Sequence, residues 1–207
     1  MICALLLVLA GALSDAAAAS RTRPMTAADT VLAVYTQDWG LGSHQGPRLI
    51  ISAWSDGYVV WSQDRVQGGP PYLAGSVDPH LLSAGLSAAV RDGVFADKSL
   101  ANPCFGPDSK FTTILLRHSG KQLRMDSWHE VAEHSGKVFA ASCGLTALSR
   151  PRLEAMREEP PRYLYYRVVW SELRSLASSL IPATSRTVAG DVTMKAGVMA
   201  WVERPAP

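Results

Sequence analysis

The sequence predicts an α+β fold, with a mainly antiparallel sheet of four to six strands, one helix on one face, and a C-terminal helix on the other face or edge. Two observations predict it. Short runs rich in β-branched and aromatic residues are joined by Asp-Gly and Ser-Gly dipeptides, which are typical of hairpin turns. Two other segments repeat apolar residues at helical spacing. Hairpins that precede and follow helices favour an antiparallel sheet over a parallel one.

The N-terminal residues 2–13 form an apolar run that is too short to span a bilayer, which takes about 20 residues. Small residues at Ala17 and Ala19, before Ser20, fit the pattern that signal peptidase accepts. Because no Lys or Arg precedes the run, the alternative is a short membrane-associated or buried N-terminal helix. The pattern favours a signal peptide that is cut before Ser20.

This cut divides the chain into a signal peptide over residues 1–19, a flexible leader over 20–30 and a single domain over 31–207. We therefore expect an exported protein, periplasmic or extracellular, with no transmembrane helix in the mature chain. Arginine outnumbers lysine 15 to 5 and asparagine occurs once, a bias typical of a GC-rich bacterial genome.

The first predicted strand covers 31–36, and the first hairpin joins 49–55 to 58–63 through Asp56-Gly57. With a two-residue type I′ turn, Trp54 faces Val59 and Ser52 faces Trp61. That register predicts that both tryptophans lie on one side of the ribbon.

The first helix is predicted over 79–91, after a strand at 72–77. Asp78 is placed to cap it, and Pro79 suits its first turn. The apolar residues of this helix recur at i, i+4, i+7 and i+8, starting from Leu82, and form one stripe.

A second hairpin joins 111–117 to 122–127 through Ser119-Gly120. Apolar residues spaced by three or four predict an amphipathic helix over 163–180, which Pro182 ends. The runs 188–193 and 198–202 are candidates for a final hairpin.

The formal net charge of +2 excludes little by itself, but no basic run is dense enough to bind phosphates, so nucleic acid is not an expected partner. After removal of the leader two cysteines remain, Cys104 and Cys143. In an oxidising compartment these form either one disulfide or two separate buried thiols.

The segment from His129 to His134 resembles a zinc-protease motif at first sight, but its histidines are five residues apart and not four. On a helix the two imidazoles point in directions about 140° apart, so they do not share a metal. The spacing favours two surface pairs, His129 with Glu133 and Glu130 with His134. A metal or acid–base site at these four residues remains the alternative, and no cofactor is predicted.

Trp54 and Trp61, if exposed on one face, form a stacking platform for a sugar ring or a peptide. If a helix covers them, they are core residues, which is the more common fate of large aromatic side chains on a central ribbon. Cys104 and His118 are also of the right types for a nucleophile and its base, although such pairs occur in most chains of this length.

These observations favour a non-catalytic exported domain that binds a protein, a peptide or a cell-envelope component. The rival is a metal-dependent or acid–base hydrolase that uses His129, Glu130, Glu133 and His134. A purely structural envelope protein is the third possibility.

Overall fold

The computed structural model describes residues 21–26, 28–39, 46–91, 109–128, 160–195 and 198–205. In this part of the chain nine strands form one sheet, and two helices accompany it. The strands are β1 Arg21–Pro24, β2 Thr30–Trp39, β3 Arg48–Trp54, β4 Tyr58–Ser62, β5 Tyr72–Ser76, β6 Ser109–His118, β7 Lys121–Trp128, β8 Arg186–Lys195 and β9 Val198–Arg204. The helices are α1 Pro79–Arg91 and α2 Pro160–Ser179.

The sheet has the strand order β1-β9-β8-β5-β4-β3-β2-β6-β7, and every neighbouring pair is antiparallel. It curves into a half-barrel and dominates the fold. The prediction of an α+β layout with four to six strands and helices on both faces is therefore wrong. Each predicted strand segment is a strand of this single sheet, and β1 adds another.

Both helices pack on the same face of the sheet, which we call the helix face. Gly85 of α1 lies against α2, because a Cβ atom at this position would be 3.2 Å from Leu176 Cδ1. The two helices share one buried apolar cluster with strands β2, β3, β4, β6 and β7. Its members include Leu82 and Leu86 of α1, Val169, Trp170, Leu173 and Ala177 of α2, and Leu32, Val34, Ile51, Val59, Trp61, Ile114, Leu116 and Met125 of the sheet.

The opposite face of the sheet carries a second buried apolar cluster, formed in the described residues by side chains of the strands and of the β1–β2 connection. Met25 and Trp201 are both 0% exposed and belong to one cluster on this face. The ring of Trp201 meets that of Tyr72 edge-on, with 4.8 Å between centroids. Burial of such aromatic and aliphatic groups contributes favourable free energy to folding.

Strand β1 lies within residues 20–30, for which the sequence predicts a flexible leader. It pairs with β9, and the chain just beyond it is held by a hydrogen bond from Met25 N–H to the Met199 carbonyl at 2.7 Å. The carbonyl of Pro24 accepts hydrogen bonds from Trp54 Nε1 at 2.9 Å and from Thr30 Oγ1 at 2.7 Å. These bonds tie the start of the described chain to the middle of the sheet.

Helix α1 begins and ends where the sequence predicts. The Asp78 carboxylate accepts a hydrogen bond from the His80 N–H at 2.8 Å, as expected of an N-cap. Leu82 and Leu86 are each 2% exposed, which confirms the predicted stripe. Helix α2 starts at Pro160, earlier than predicted, and ends at Ser179 before Pro182. Neither described helix has the length and apolar character needed to cross a bilayer.

Candidate functional site

The two tryptophans of the first hairpin do not share a face. Strand β3 pairs with β4 so that Ser52 lies opposite Val60 and Ala53 opposite Val59, one residue away from the predicted register. Trp54 therefore lies on the opposite face and Trp61 on the helix face. They are 1% and 4% exposed, so the structure places both in the core.

The register differs because the turn contains three residues and not two. The Gly57 N–H donates to the Trp54 carbonyl at 2.9 Å, and Gly57 alone in this turn has a positive φ, of 82°. A type I′ turn needs positive φ at both central residues. Asp56 instead accepts a hydrogen bond from the Tyr58 N–H at 3.1 Å. A shift of one residue moves every side chain to the other face.

Apart from His118, which ends β6, the remaining residues that the sequence indicates as site candidates lie outside the described part of the chain. They are His129, Glu130, Glu133 and His134, and the cysteines Cys104 and Cys143. Within the described ranges, no group of three or more His, Cys, Asp or Glu side chains is arranged to hold a metal ion.

A cleft of about 580 Å³ lies between α1, the β6–β7 turn and the connection between β1 and β2. We call it the α1–hairpin cleft. Its apolar lining comes from Ala28, Val31, Pro79, Leu82 and Leu86, and its polar lining from Thr26, Ser55, Ser83, Arg117, His118, Ser119, Gly120, Lys121 and Gln122. Segments that are far apart in the chain thus converge on one concave surface.

The β6–β7 turn places its basic residues at one end of this cleft. Ser119 and Gly120 both have positive φ, of 49° and 75°, as a two-residue type I′ turn requires. His118 consequently pairs directly with Lys121. The Ser-Gly hairpin predicted from the sequence is confirmed, and its turn type fixes which side chains face α1.

His118 is oriented by helix α1. Its Nε2 atom lies 3.2 Å from Ser87 Oγ, and both residues are half-buried. Ser87 follows Ser83 by four residues, so both serines lie along one side of α1, next to the buried Leu82 and Leu86. This contact joins the helix to the hairpin beside the cleft, which His118 lines.

The Ser87–His118 pair is poorly arranged for nucleophilic catalysis. Ser87 lies in the interior of α1, where the backbone N–H groups donate to carbonyls of the preceding turn. Those groups are therefore not available as an oxyanion hole beside the serine. The arrangement suits a hydrogen bond that fixes the direction of the imidazole.

Arg117 connects the segments that form one wall of the cleft. Its Nε donates to Gln122 Oε1 at 3.0 Å, and one of its terminal nitrogens donates to the Thr26 carbonyl at 2.6 Å. These bonds connect both strands of the β6–β7 hairpin to the segment after β1. Lys121, next to them on the hairpin, is exposed.

All the ionisable side chains among the described residues that line the cleft are basic. They are Arg117, His118 and Lys121. The hydroxyl groups around them both donate and accept hydrogen bonds. The cleft thus combines an apolar floor, a hydroxyl-rich rim and a concentration of positive charge at one end.

A second polar cluster, at the end of β9, is structural. Glu203 accepts hydrogen bonds from the Tyr58 hydroxyl and from Arg186, the latter at 2.7 Å. Arg23 lies 4.4 Å from the centre of the Tyr58 ring and pairs with Asp56 at 2.8 Å. These contacts join β1, β4, β8 and β9 and help the sheet to hold its curvature. We call this group the polar clasp.

The polar clasp shifts the pKa values of its members. Burial raises the pKa of Glu203, but hydrogen bonds from Tyr58 and Arg186 outweigh burial and hold that pKa below its ordinary value of 4.5. Burial, and then the hydrogen bond to Glu203, raise the pKa of Tyr58 far above its ordinary value. The phenol therefore stays protonated and donates to an ionised carboxylate.

We expect the polar clasp to make the protein sensitive to acid. The pKa of Glu203 is lowered in the folded state. The stabilisation that its ionised carboxylate gives the fold is therefore fully present above about pH 4.5, and it is lost as the pH falls through the folded pKa. Glu203→Gln should cost about 1–3 kcal/mol at pH 7 and less at pH 3. Urea unfolding from pH 3 to 7 measures this, with Glu172→Gln, an exposed carboxylate on α2, as the control. If the free energies of unfolding of Glu203→Gln and the parent protein differ by the same amount at every pH, Glu203 is not the source of the acid sensitivity.

The residues of the α1–hairpin cleft were largely missed by sequence reasoning. The sequence indicates His118 only as a possible base for Cys104, and it gives no sign of a role for Ser83, Ser87 or Lys121. The available signals were the serines beside the apolar stripe of α1 and the Ser-Gly turn that follows a histidine. Nothing in the sequence indicates that these two segments meet.

Comparison with known proteins identifies no relative. No family model matches the chain, and neither the curated proteins nor the solved structures contain a match.

Proposed function

We propose that the protein is an exported, non-catalytic domain that binds a ligand of the cell envelope or exterior in the α1–hairpin cleft. The observation that carries the proposal is the convergence of three separate segments on one concave surface of about 580 Å³. This volume falls within the range of about 300–1,000 Å³ typical of small-molecule sites.

The chemistry of the lining supports binding. Ala28, Val31 and Pro79 present accessible apolar surface to the cleft, above the buried side chains of Leu82 and Leu86, and burying a ligand against this surface is favourable. A few polar groups at fixed positions, such as His118 held by Ser87, supply orientation and specificity.

A nuclear magnetic resonance screen tests the proposal. Mixtures of small fragments of varied charge are added to the ¹⁵N-labelled mature protein, and amide shifts are recorded. We expect the perturbed amides to concentrate in α1 and in residues 117–122. Perturbations spread over other surfaces, or none from any fragment, would argue against the cleft as a binding site.

Metal analysis separates this proposal from the rival hydrolase. If the protein binds without a metal, the purified protein contains no stoichiometric transition metal. A tightly bound metal that disappears in the His129→Ala and His134→Ala variants would instead support a metal-dependent hydrolase.

The proposal of export rests on the signal peptide that the sequence predicts, and the position of the first strand is compatible with it. β1 begins at Arg21, just after the expected cleavage before Ser20, so removal of residues 1–19 leaves all nine described strands in place. We expect N-terminal sequencing of the protein from the cell exterior or periplasm to begin at Ser20. Recovery from the cytosol with Met1 to Ala19 intact contradicts export.

A further inference from the structure

We infer that the ligand of the α1–hairpin cleft is an amphipathic anion, with a carboxylate at the β6–β7 turn and an apolar chain along α1. This inference rests on the proposed function and adds the chemical class and the orientation of the ligand.

The charge of the lining points to an anionic group. Lys121 is exposed on the hairpin, and His118 lies directly across from it in the strand register. Arg117 adds a third basic side chain. Among the described residues that line the cleft, the charged side chains are the cations Arg117 and Lys121, which suits an anionic head group better than a cationic one at this end.

The hydroxyl groups of the rim are suited to the same ligand. Ser119 is exposed in the turn beside Lys121, and Ser83 is exposed on α1 across the cleft. Both hydroxyls donate hydrogen bonds, and such bonds to an ionised acceptor are shorter and stronger than those to a neutral one. A ligand carboxylate near the β6–β7 turn is therefore close to hydroxyl hydrogen-bond donors as well as to cationic side chains.

The apolar part of the lining lies along α1 and β2. Leu82 and Leu86, one helical turn apart and each 2% exposed, form the base of this lining, and the more accessible Val31 and Pro79 lie at its surface. Side chains at this spacing form a continuous strip, which suits an extended aliphatic chain. Because the basic residues belong to the hairpin and the apolar strip to the helix, the two ends of the ligand are assigned to opposite sides of the cleft.

A matched series of eight-carbon probes tests the inference. Octanoate, octanamide and octylamine carry the same chain with a negative, neutral or positive head, and acetate carries the head alone. We expect octanoate to shift the amides of α1 and residues 117–122 with a dissociation constant at least about five-fold lower than that of octanamide. Octylamine and acetate should bind more weakly than either.

Two substitutions separate charge from shape. Lys121→Gln should weaken octanoate about three- to five-fold and leave octanamide unchanged. Lys195→Gln is the control, since Lys195 is also exposed but ends β8 and does not line the cleft. Both residues are exposed, so neither variant is expected to disturb folding.

The outcomes distinguish this inference from the proposed function. If octanamide or octylamine binds the cleft as well as octanoate, the anion assignment fails while the cleft remains a binding site. If none of the probes shifts α1 or residues 117–122, the amphipathic class is wrong, and the mixed fragment screen decides separately whether the cleft binds anything.

Discussion

Ser83→Trp should weaken octanoate binding at least about ten-fold, which corresponds to about 1.4 kcal/mol. Ser83 is exposed on α1 and lines the α1–hairpin cleft, between the buried residue Leu82 and the following turn of the helix. An indole at this position occupies the space that the ligand needs without entering the core. Titration calorimetry measures the loss directly.

Ser171→Trp is the matched control. Ser171 is an exposed serine on α2 and is not among the cleft residues, so the same change there should leave binding intact. Both variants should keep the free energy of unfolding within about 0.5 kcal/mol of the parent, as surface substitutions usually do. Equal affinity of Ser83→Trp and the parent protein would place the ligand elsewhere.

Gly190→Ala should destabilise the fold by about 2–3 kcal/mol, because it forces a methyl group into a packed aromatic ring. A Cβ atom at Gly190 would overlap the six-membered ring of Trp201 and approach the Val202 carbonyl oxygen to 2.7 Å. Trp201 is 0% exposed and is packed against Tyr72, so it has little room to move. Chemical denaturation measures the change in the free energy of unfolding.

Two further variants isolate the steric cause. Gly46→Ala should change stability by no more than about 0.5 kcal/mol, because a Cβ at Gly46 would meet nothing within 4 Å. In the Gly190→Ala background, Trp201→Leu should recover part of the loss by removing the ring. A Gly190→Ala protein as stable as the parent contradicts the packing of β8 against β9 described above.

Local signals in the sequence were sufficient to predict most individual elements. Asp78 and Pro79 mark the start of α1, and Ser119-Gly120 marks the β6–β7 turn, because capping and turn chemistry depend on neighbouring residues. The structure confirms these elements at or near the predicted bounds.

Long-range pairing was not available from the sequence. Strand β1 consists of Arg21–Pro24, which has no hydrophobic pattern, and it is a strand because β9 from the other end of the described chain pairs with it. The size of the sheet and the location of both helices on one face depend on such pairings, which explains why the predicted fold class was wrong.

The site was hidden for two physical reasons. The three-residue turn at Gly57 shifts the register by one residue, so Trp54 and Trp61 do not share one face as the predicted two-residue turn required. The α1–hairpin cleft forms between α1 and the β6–β7 turn, which Ser87 and His118 connect and which no local pattern in the sequence links. Only the folded sheet brings them together.

The most direct test of the account is the position of the octanoate chain in the bound state, measured by intermolecular nuclear Overhauser effects. We expect contacts from the terminal methyl group to the methyl groups of Leu82 and Leu86, and from the protons next to the carboxylate to Lys121. Contacts that fall instead on exposed apolar side chains away from the cleft, such as Val168 or Met194, would contradict the central claim that this cleft is the binding site.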